Sequence, residues 1–197
     1  MIVQAVADSP DREPAPALRL VADNTRPGSA RTEIVELYEA EFRRTARLAY
    51  LLCGNTQQAD DLAHDAFLRL YEHWDRVNDP AKRRSYLRTI LVNLAHSAHR
   101  REFVARRHAG APMLMEGAAT TSTEDDAIWR SARPEVLAAL GTLSERQRTA
   151  VVLRHWMGMT EGEIAEAMSC SIGSVRTHIA RGHQSLALQL AALGGTR

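Results

Sequence analysis

Apolar residues recur at three- and four-residue steps through most of the chain, and no segment alternates with period two for long enough to make a strand. The pattern predicts an all-α protein. From Glu33, a stripe of Ile34, Leu37, Tyr38 and Phe42 continues through Leu48, Leu51 and Leu52 to a stop at Gly54. After Gly54-Asn55-Thr56, a second helix carries Ala59, Leu62, Ala63, Ala66, Phe67, Leu70, Tyr71 and Trp74 on one face. Its other face carries Asp60, Asp61, His64, Asp65, Arg69 and Glu72. Asp79-Pro80 supplies an N-cap and an N1 proline for a third helix running to about Arg101, which buries Tyr86, Leu87, Ile90, Leu91, Leu94 and Ala98. These three helices predict one domain over residues 32–104.

Residues 1–31 hold four of the seven prolines and no helical period, and read as a disordered leader. Residues 105–127, with Gly110, Pro112, Gly117, a run of small residues and the acidic end Glu124-Asp125-Asp126, read as a flexible linker. A second helical domain is expected over residues 128–197. Pro134 opens a helix with Val136, Leu137 and Leu140, ended by Gly141. Ser144 with Gln147, and Thr160 with Glu163, have capping-box spacing.

The last of these boxes opens the most informative stretch. A short helix from Glu161 to Met168 buries Ile164, Ala165 and Met168, and Ser169-Cys170-Ser171 makes a tight turn in which Cys170 serves as a small hydrophobe. Ser171 can cap a following helix that buries Ile172, Val175, Ile179 and Leu186. This is the layout of a helix-turn-helix, whose second helix enters the major groove. Its exposed positions, Ser174, Arg176, Thr177, His178 and Arg181, include no carboxylate that phosphates would repel, and Arg can fork onto a guanine edge. The bland alternative is a helical hairpin with a solvated arginine face.

Charge sharpens this picture. Lys and Arg number 25 against 24 Asp and Glu, a formal +1, and 24 of the 25 are Arg, Lys82 being the exception. Residues 76–107 nevertheless hold nine basic residues (Arg76, Lys82, Arg83, Arg84, Arg88, Arg100, Arg101, Arg106, Arg107) against Asp79 and Glu102, a local +7 suited to a polyanion. The N-terminus lacks the basic-then-apolar order of a signal peptide, and the longest apolar runs, such as Leu48–Cys53, are far short of a membrane span, so a cytoplasmic protein is expected. Cys53 and Cys170 are too far apart in sequence for a CxxC motif, which argues against a disulfide framework or cysteine-rich zinc site.

The segment Asp60-Asp61-Leu62-Ala63-His64-Asp65-Ala66-Phe67-Leu68-Arg69-Leu70-Tyr71 resembles region 2 of bacterial sigma factors of the extracytoplasmic-function type. Ser85–Ala95, followed by Arg100-Arg101, is similar to that region's next helix and its basic end. Leu143-Ser144-Glu145-Arg146-Gln147-Arg148 through Val151-Val152-Leu153-Arg154 resembles the entry to region 4. The segments around Leu48–Asn55 and His73–Pro80 look like an actinobacterial branch.

The resemblance implies a non-enzymatic factor without metal or cofactor. Such a factor binds core RNA polymerase, on its largest-subunit clamp helices and its flap, and directs it to promoter DNA. By this likeness Asp60, Asp61, His64, Asp65 and Arg69 face the polymerase. Arg83, Arg84, Tyr86, Arg88, Asn93, His96, Arg100 and Arg101 hold the melted −10 strand. Arg154, Ser171, Ser174, Arg176, Thr177, His178 and Arg181 read the −35 duplex. The linker either threads through the polymerase or is a passive tether, and an anti-sigma factor is a common family partner. Two rivals stand beside this reading. Asp61, His64 and Asp65 lie at i, i+3 and i+4, a metal-ligand spacing, with His96 and His99 as the nearest further ligands. Alternatively, the helix-turn-helix belongs to a stand-alone dimeric regulator that binds a palindrome without polymerase.

Overall fold

The computed structural model describes residues 28–77, 79–109 and 134–194. The leader up to residue 27 and the linker from residue 110 lie outside the described residues. Among the latter every element is helical: α1 (Gly28–Cys53), α2 (Thr56–Glu72), a 3-10 turn (Trp74–Arg76), α3 (Pro80–Ala109), α4 (Pro134–Thr142), α5 (Glu145–His155), α6 (Glu161–Ala167) and α7 (Ile172–Gly194).

The helix ends follow local chemistry. Gly54 adopts φ +77° and its amide donates to the Tyr50 carbonyl at 2.7 Å, so α1 stops where a left-handed residue is available. Asn55 then caps α2, its side chain accepting from the Gln58 amide at 2.8 Å. The Asp79 carboxylate accepts from the Ala81 amide at 3.0 Å at the head of α3. Two boundaries differ from the sequence reading. Helix α1 already begins at Gly28, and α3 continues past Arg101 to Ala109 because no glycine or proline interrupts Glu102–Ala109. The first stretch assigned to the linker is therefore helical.

Helices α1–α3 form one unit around Leu48, Leu62, Phe67, Leu70, Leu87 and Leu91, all buried. The apolar face predicted for α2 is buried in full, down to Trp74 in the 3-10 turn. Arg83 closes that corner. Its guanidinium lies 4.0 Å from the Trp74 ring, pairs with Glu33 on α1, and donates from Nε to the Val77 carbonyl at 3.3 Å.

Helices α4–α7 form the second unit. Both predicted capping boxes are made, at Ser144/Gln147 and Thr160/Glu163. Leu140, Leu143, Val152, Leu153, Ile164 and Val175 are buried. Several expected core residues are not fully enclosed, Leu137, Ile179 and Leu186 being only part-buried. Val136 and Ile172 stand 45% exposed in the first turns of α4 and α7, and Tyr86 on α3 is only half-buried. Helix α7 comes close to α5 at the buried Gly182, where a Cβ would sit 2.6 Å from Val151 Cγ2.

The two units touch: α1 and α3 pack on α5, and α3 packs on α6. Arg148, 3% exposed, joins them. It donates to the Leu52 carbonyl at 2.9 Å and to the Gly141 carbonyl at 3.0 Å, which lie in the last turns of α1 and α4. Those carbonyls have no partner within their own helices and sit at the negative end of the helix dipole, so one cation satisfies the ends of two helices.

Gly182→Ala tests the close crossing. Alanine is intrinsically better in a helix by about 1 kcal/mol, but Val151 is held in one rotamer and must move. Overpacking of about 1–3 kcal/mol outweighs the propensity gain, so thermal denaturation should show a net loss of stability. Adding Val151→Ala should recover part of that loss.

Candidate nucleic-acid interface

On α2, Asp61, Asp65 and Arg69 are exposed at helical spacing, with Gln57 donating to Asp61 Oδ1 at 3.3 Å. His64 differs from them. Its Nδ1 lies 2.8 Å from the Asp60 carbonyl, which can only accept, so this nitrogen carries the proton. Its Nε2 then accepts from the Tyr38 hydroxyl at 3.0 Å, and its ring packs 4.6 Å from Phe42. Both nitrogens are engaged, which makes His64 a strut under the acidic face. Among the described residues, no three His, Cys, Asp or Glu side chains converge on a possible metal position.

The candidate residues of α3 do not share one face. Asn93, Arg100 and Arg101 are exposed, and Tyr86 is half-buried. Arg83 is held by Trp74, Glu33 and Val77, so a phosphate would have to compete for it. Arg84 pairs with Glu41 at 2.9 Å. Arg88 lines a crevice with Glu41, Arg44 and Arg84 that Met157 of the second unit closes, and its pKa is lowered by burial and by Arg44.

His96 is turned toward the second unit. Its Nε2 lies 3.0 Å from Thr149 Oγ1. That hydroxyl's own proton goes to the Glu145 carbonyl at 2.9 Å, so His96 must donate. Burial and the nearby Arg146, His99 and Arg100 hold its pKa down, at about 4. The neutral ring forms no ion pair with Glu145 Oε1, 3.6 Å away, whose own pKa burial raises.

In the second unit, Ser171 caps α7 by accepting from the Ser174 amide at 3.1 Å. Arg176, Thr177 and Arg181 are exposed, Ser174 and His178 half-buried. Burial, Arg146 and Arg181 lower the pKa of His178, leaving it neutral near pH 7. Thr177 donates to the Gly173 carbonyl at 2.9 Å, and Arg154 to that of Met159 at 2.9 Å. The face free of carboxylates within α7 is reached by one from α6: Glu161 Oε2 accepts from Arg176 Nε at 2.7 Å. That bond leaves the two terminal amino groups of Arg176, the pair that forks onto guanine.

The region 4 model of the sigma-70 family matches residues 133–186, and its region 2 model matches residues 37–103. A sigma-E factor of Streptomyces avermitilis is 31% identical over 163 residues, covering 80% of this chain and 85% of that protein. The chain belongs to the ECF sigma factors. SigE of Mycolicibacterium smegmatis is 30% identical to this sigma factor over 188 residues, 93% of this chain and 72% of that one. The sigma factor RpoE of Bartonella quintana, solved with the anti-sigma factor NepR, shares the fold at a TM-score of 0.66 and 20% identity, covering 79% of this chain and 95% of that one. Like its relatives, this sigma factor serves promoter-specific transcription initiation. None of its helices, among the described residues, is long and apolar enough to cross a membrane.

Three residues of consequence escape sequence reading. Arg148 and Glu161 depend on partners in other helices, and His183 places its Nε2 2.7 Å from that of His155, 28 positions away. The capping position of Glu163 is legible in sequence; the arginine pairing of Glu161 is not.

His96 gives the fold a pH dependence. An unfolded histidine titrates near 6.5. Between pH 6.5 and about 4 the unfolded chain therefore binds the proton first, and the contribution of the neutral ring, complete above pH 6.5, is lost as pH falls through that window. The loss is bounded at about 3 kcal/mol. Melting temperature should drop more steeply from pH 6.5 to 4.5 in the parent chain than in His96→Gln, and identical slopes would remove His96 as the titrating group.

Proposed function

We propose that α2 docks the protein on core RNA polymerase, that α3 holds the opened −10 strand, and that α7 reads the −35 duplex, with residues 32–104 and 128–197 as the two functional domains. The observation carrying this reading is the pair of family regions, in order, on two helical units whose second helix-turn-helix exposes Arg176, Thr177 and Arg181. Asp61, Asp65 and Arg69, braced by His64 and Asp60, give the mixed charge that sets orientation and encounter rate between helices. Asn93 is the base-contacting amide of α3, Tyr86 stands beside the strand, and Arg84, Arg88, Arg100 and Arg101 hold phosphates, with His96 able to reach one only by releasing Thr149. Arg83 joins them only by releasing Glu33. Arg154, Ser171, Ser174 and His178 flank the base-reading residues, and Glu161 orients Arg176.

In this reading the protein acts in the cytoplasm and performs no chemistry of its own, the polymerase supplying catalysis. An anti-sigma factor is a further partner, since the Bartonella neighbour was solved with one.

Run-off transcription separates this reading from a stand-alone dimeric regulator. Purified chain with core polymerase should initiate at a cognate promoter, whereas a homodimer that footprints DNA but never activates core would favour the rival. Arg176→Ala should weaken binding to the cognate −35 sequence by about 1–3 kcal/mol relative to a scrambled one. Equal losses on both would assign it to the backbone. Asn93→Ala should leave core binding intact while reducing permanganate reactivity of the melted bases, and unchanged reactivity would exclude it.

A further inference from the structure

We propose that His155 and His183 form a two-histidine site for a divalent transition-metal ion of the nickel or copper type, which fastens the end of α5 to α7. The inference is independent of the roles proposed above for α2, α3 and α7, because neither histidine is assigned a contact with polymerase or DNA. The two residues lie 28 positions apart, yet their Nε2 atoms face each other at 2.7 Å and their ring centroids stand 4.8 Å apart. Both are exposed, so water would satisfy either ring alone and burial does not demand the pairing. The helix crossing produces it. His155 lies one turn beyond Val151 on the same face of α5, and His183 follows Gly182 on α7. Val151 and Gly182 are the residues at which these helices meet with no Cβ between them. That packed crossing holds the two imidazoles within reach of each other, and little ordering remains when an ion arrives.

Two facing nitrogens that share one proton are one tautomer away from two facing lone pairs. When the proton of the donating Nε2 is carried on Nδ1 of the same ring instead, both rings stay neutral and both Nε2 atoms become ligands. His155 is also the last residue of α5, at the negative end of the helix dipole, which favours a cation. Arg154 opposes it, but its guanidinium is drawn to the Met159 carbonyl at 2.9 Å. The spacing selects the ion. Nitrogen ligands about 2.0–2.1 Å from a metal stand about 2.9 Å apart in adjacent positions of a square-planar or tetragonal ion, and about 3.3 Å apart around a tetrahedral one. The 2.7 Å separation lies nearer the first, the geometry of Cu(II) and Ni(II) rather than Zn(II). Among the described residues no third His, Cys, Asp or Glu joins the pair, so water completes the shell.

Isothermal titration of the full chain with Ni(II) tests the site. Nickel is the probe because copper oxidises thiols, and Cys53 and Cys170 are free. The parent chain should bind Ni(II) saturably, and His155→Gln and His183→Gln should each weaken that binding about tenfold or more, since losing either ring abolishes the chelate. His96→Gln/His99→Gln, which removes the histidines of α3, should leave it unchanged. Binding that is absent from the parent, survives in either single variant, or falls equally in the α3 variant overturns the proposal.

Ni(II) should also raise the melting temperature of the parent and of the α3 variant, but not of the two single variants, because an ion held only by the folded pair stabilises the fold by mass action. Binding without that rise would mean that the unfolded chain takes the ion equally well, and would overturn the site. Should a glutamine variant fail to fold by circular dichroism, the parent alone decides: paramagnetic Ni(II) should broaden the ring C–H signals of His155 and His183 before those of the other histidines, and the reverse order overturns the proposal.

Discussion

A single buried guanidinium, that of Arg148, holds the architecture in register. Burying a cation is costly unless polar groups replace its water, and here the replacement comes from carbonyls that two helices leave unsatisfied at their C-termini, Leu52 in α1 and Gly141 in α4. The helix ends gain a donor, and the cation gains two acceptors at the negative ends of dipoles while its buried Nε makes no hydrogen bond. Burial pulls the pKa of Arg148 below its ordinary value, yet guanidinium is basic enough to stay charged where lysine would risk neutralisation. The joint is directional, and it couples a helix of one unit to the core of the other.

Around that joint α3 meets three surroundings. One side carries Leu87, Leu91, Leu94 and Ala98 into the first core, another meets the second unit through Arg88 and His96, and Asn93, Arg100 and Arg101 remain in solvent. A helix that serves a core and a partner domain while keeping exposed basic residues cannot be cleanly amphipathic, and those residues are accordingly scattered around its circumference. The exposed face of α7 is simpler, because α5 and α6 cover one side and leave the other to solvent.

Much of this was legible in the chain. Helical periods located α2 and its buried face residue by residue, and capping chemistry located the heads of α5, α6 and α7, because both signals are local. The reach of α3 to Ala109 was hidden by reading composition as linker where no helix breaker occurs. The exposure of Val136 and Ile172 depends on tertiary packing, which no local pattern records. Among the candidate site residues, His64, Arg83 and His96 have the right types and spacing for recognition, yet their hydrogen bonds are internal. Histidine and arginine suit a buried network and a ligand equally well, so only their partners distinguish the roles. Arg148 is the same case, since nothing in its local sequence records the carbonyls of α1 and α4 that it meets.

The missing side chain at Gly182 reaches beyond stability. With no Cβ between them, α7 lies close enough to α5 that its depth is set by Val151. The amino acids proposed to touch bases and the spacer that seats them thus occupy different parts of one rod. Swapping promoter preference between relatives by grafting positions 174–181 alone would transfer the letters but not the height at which they are presented. A transplant that is meant to read a new sequence has to carry the 151–182 contact with it, as a lens is moved with its mount.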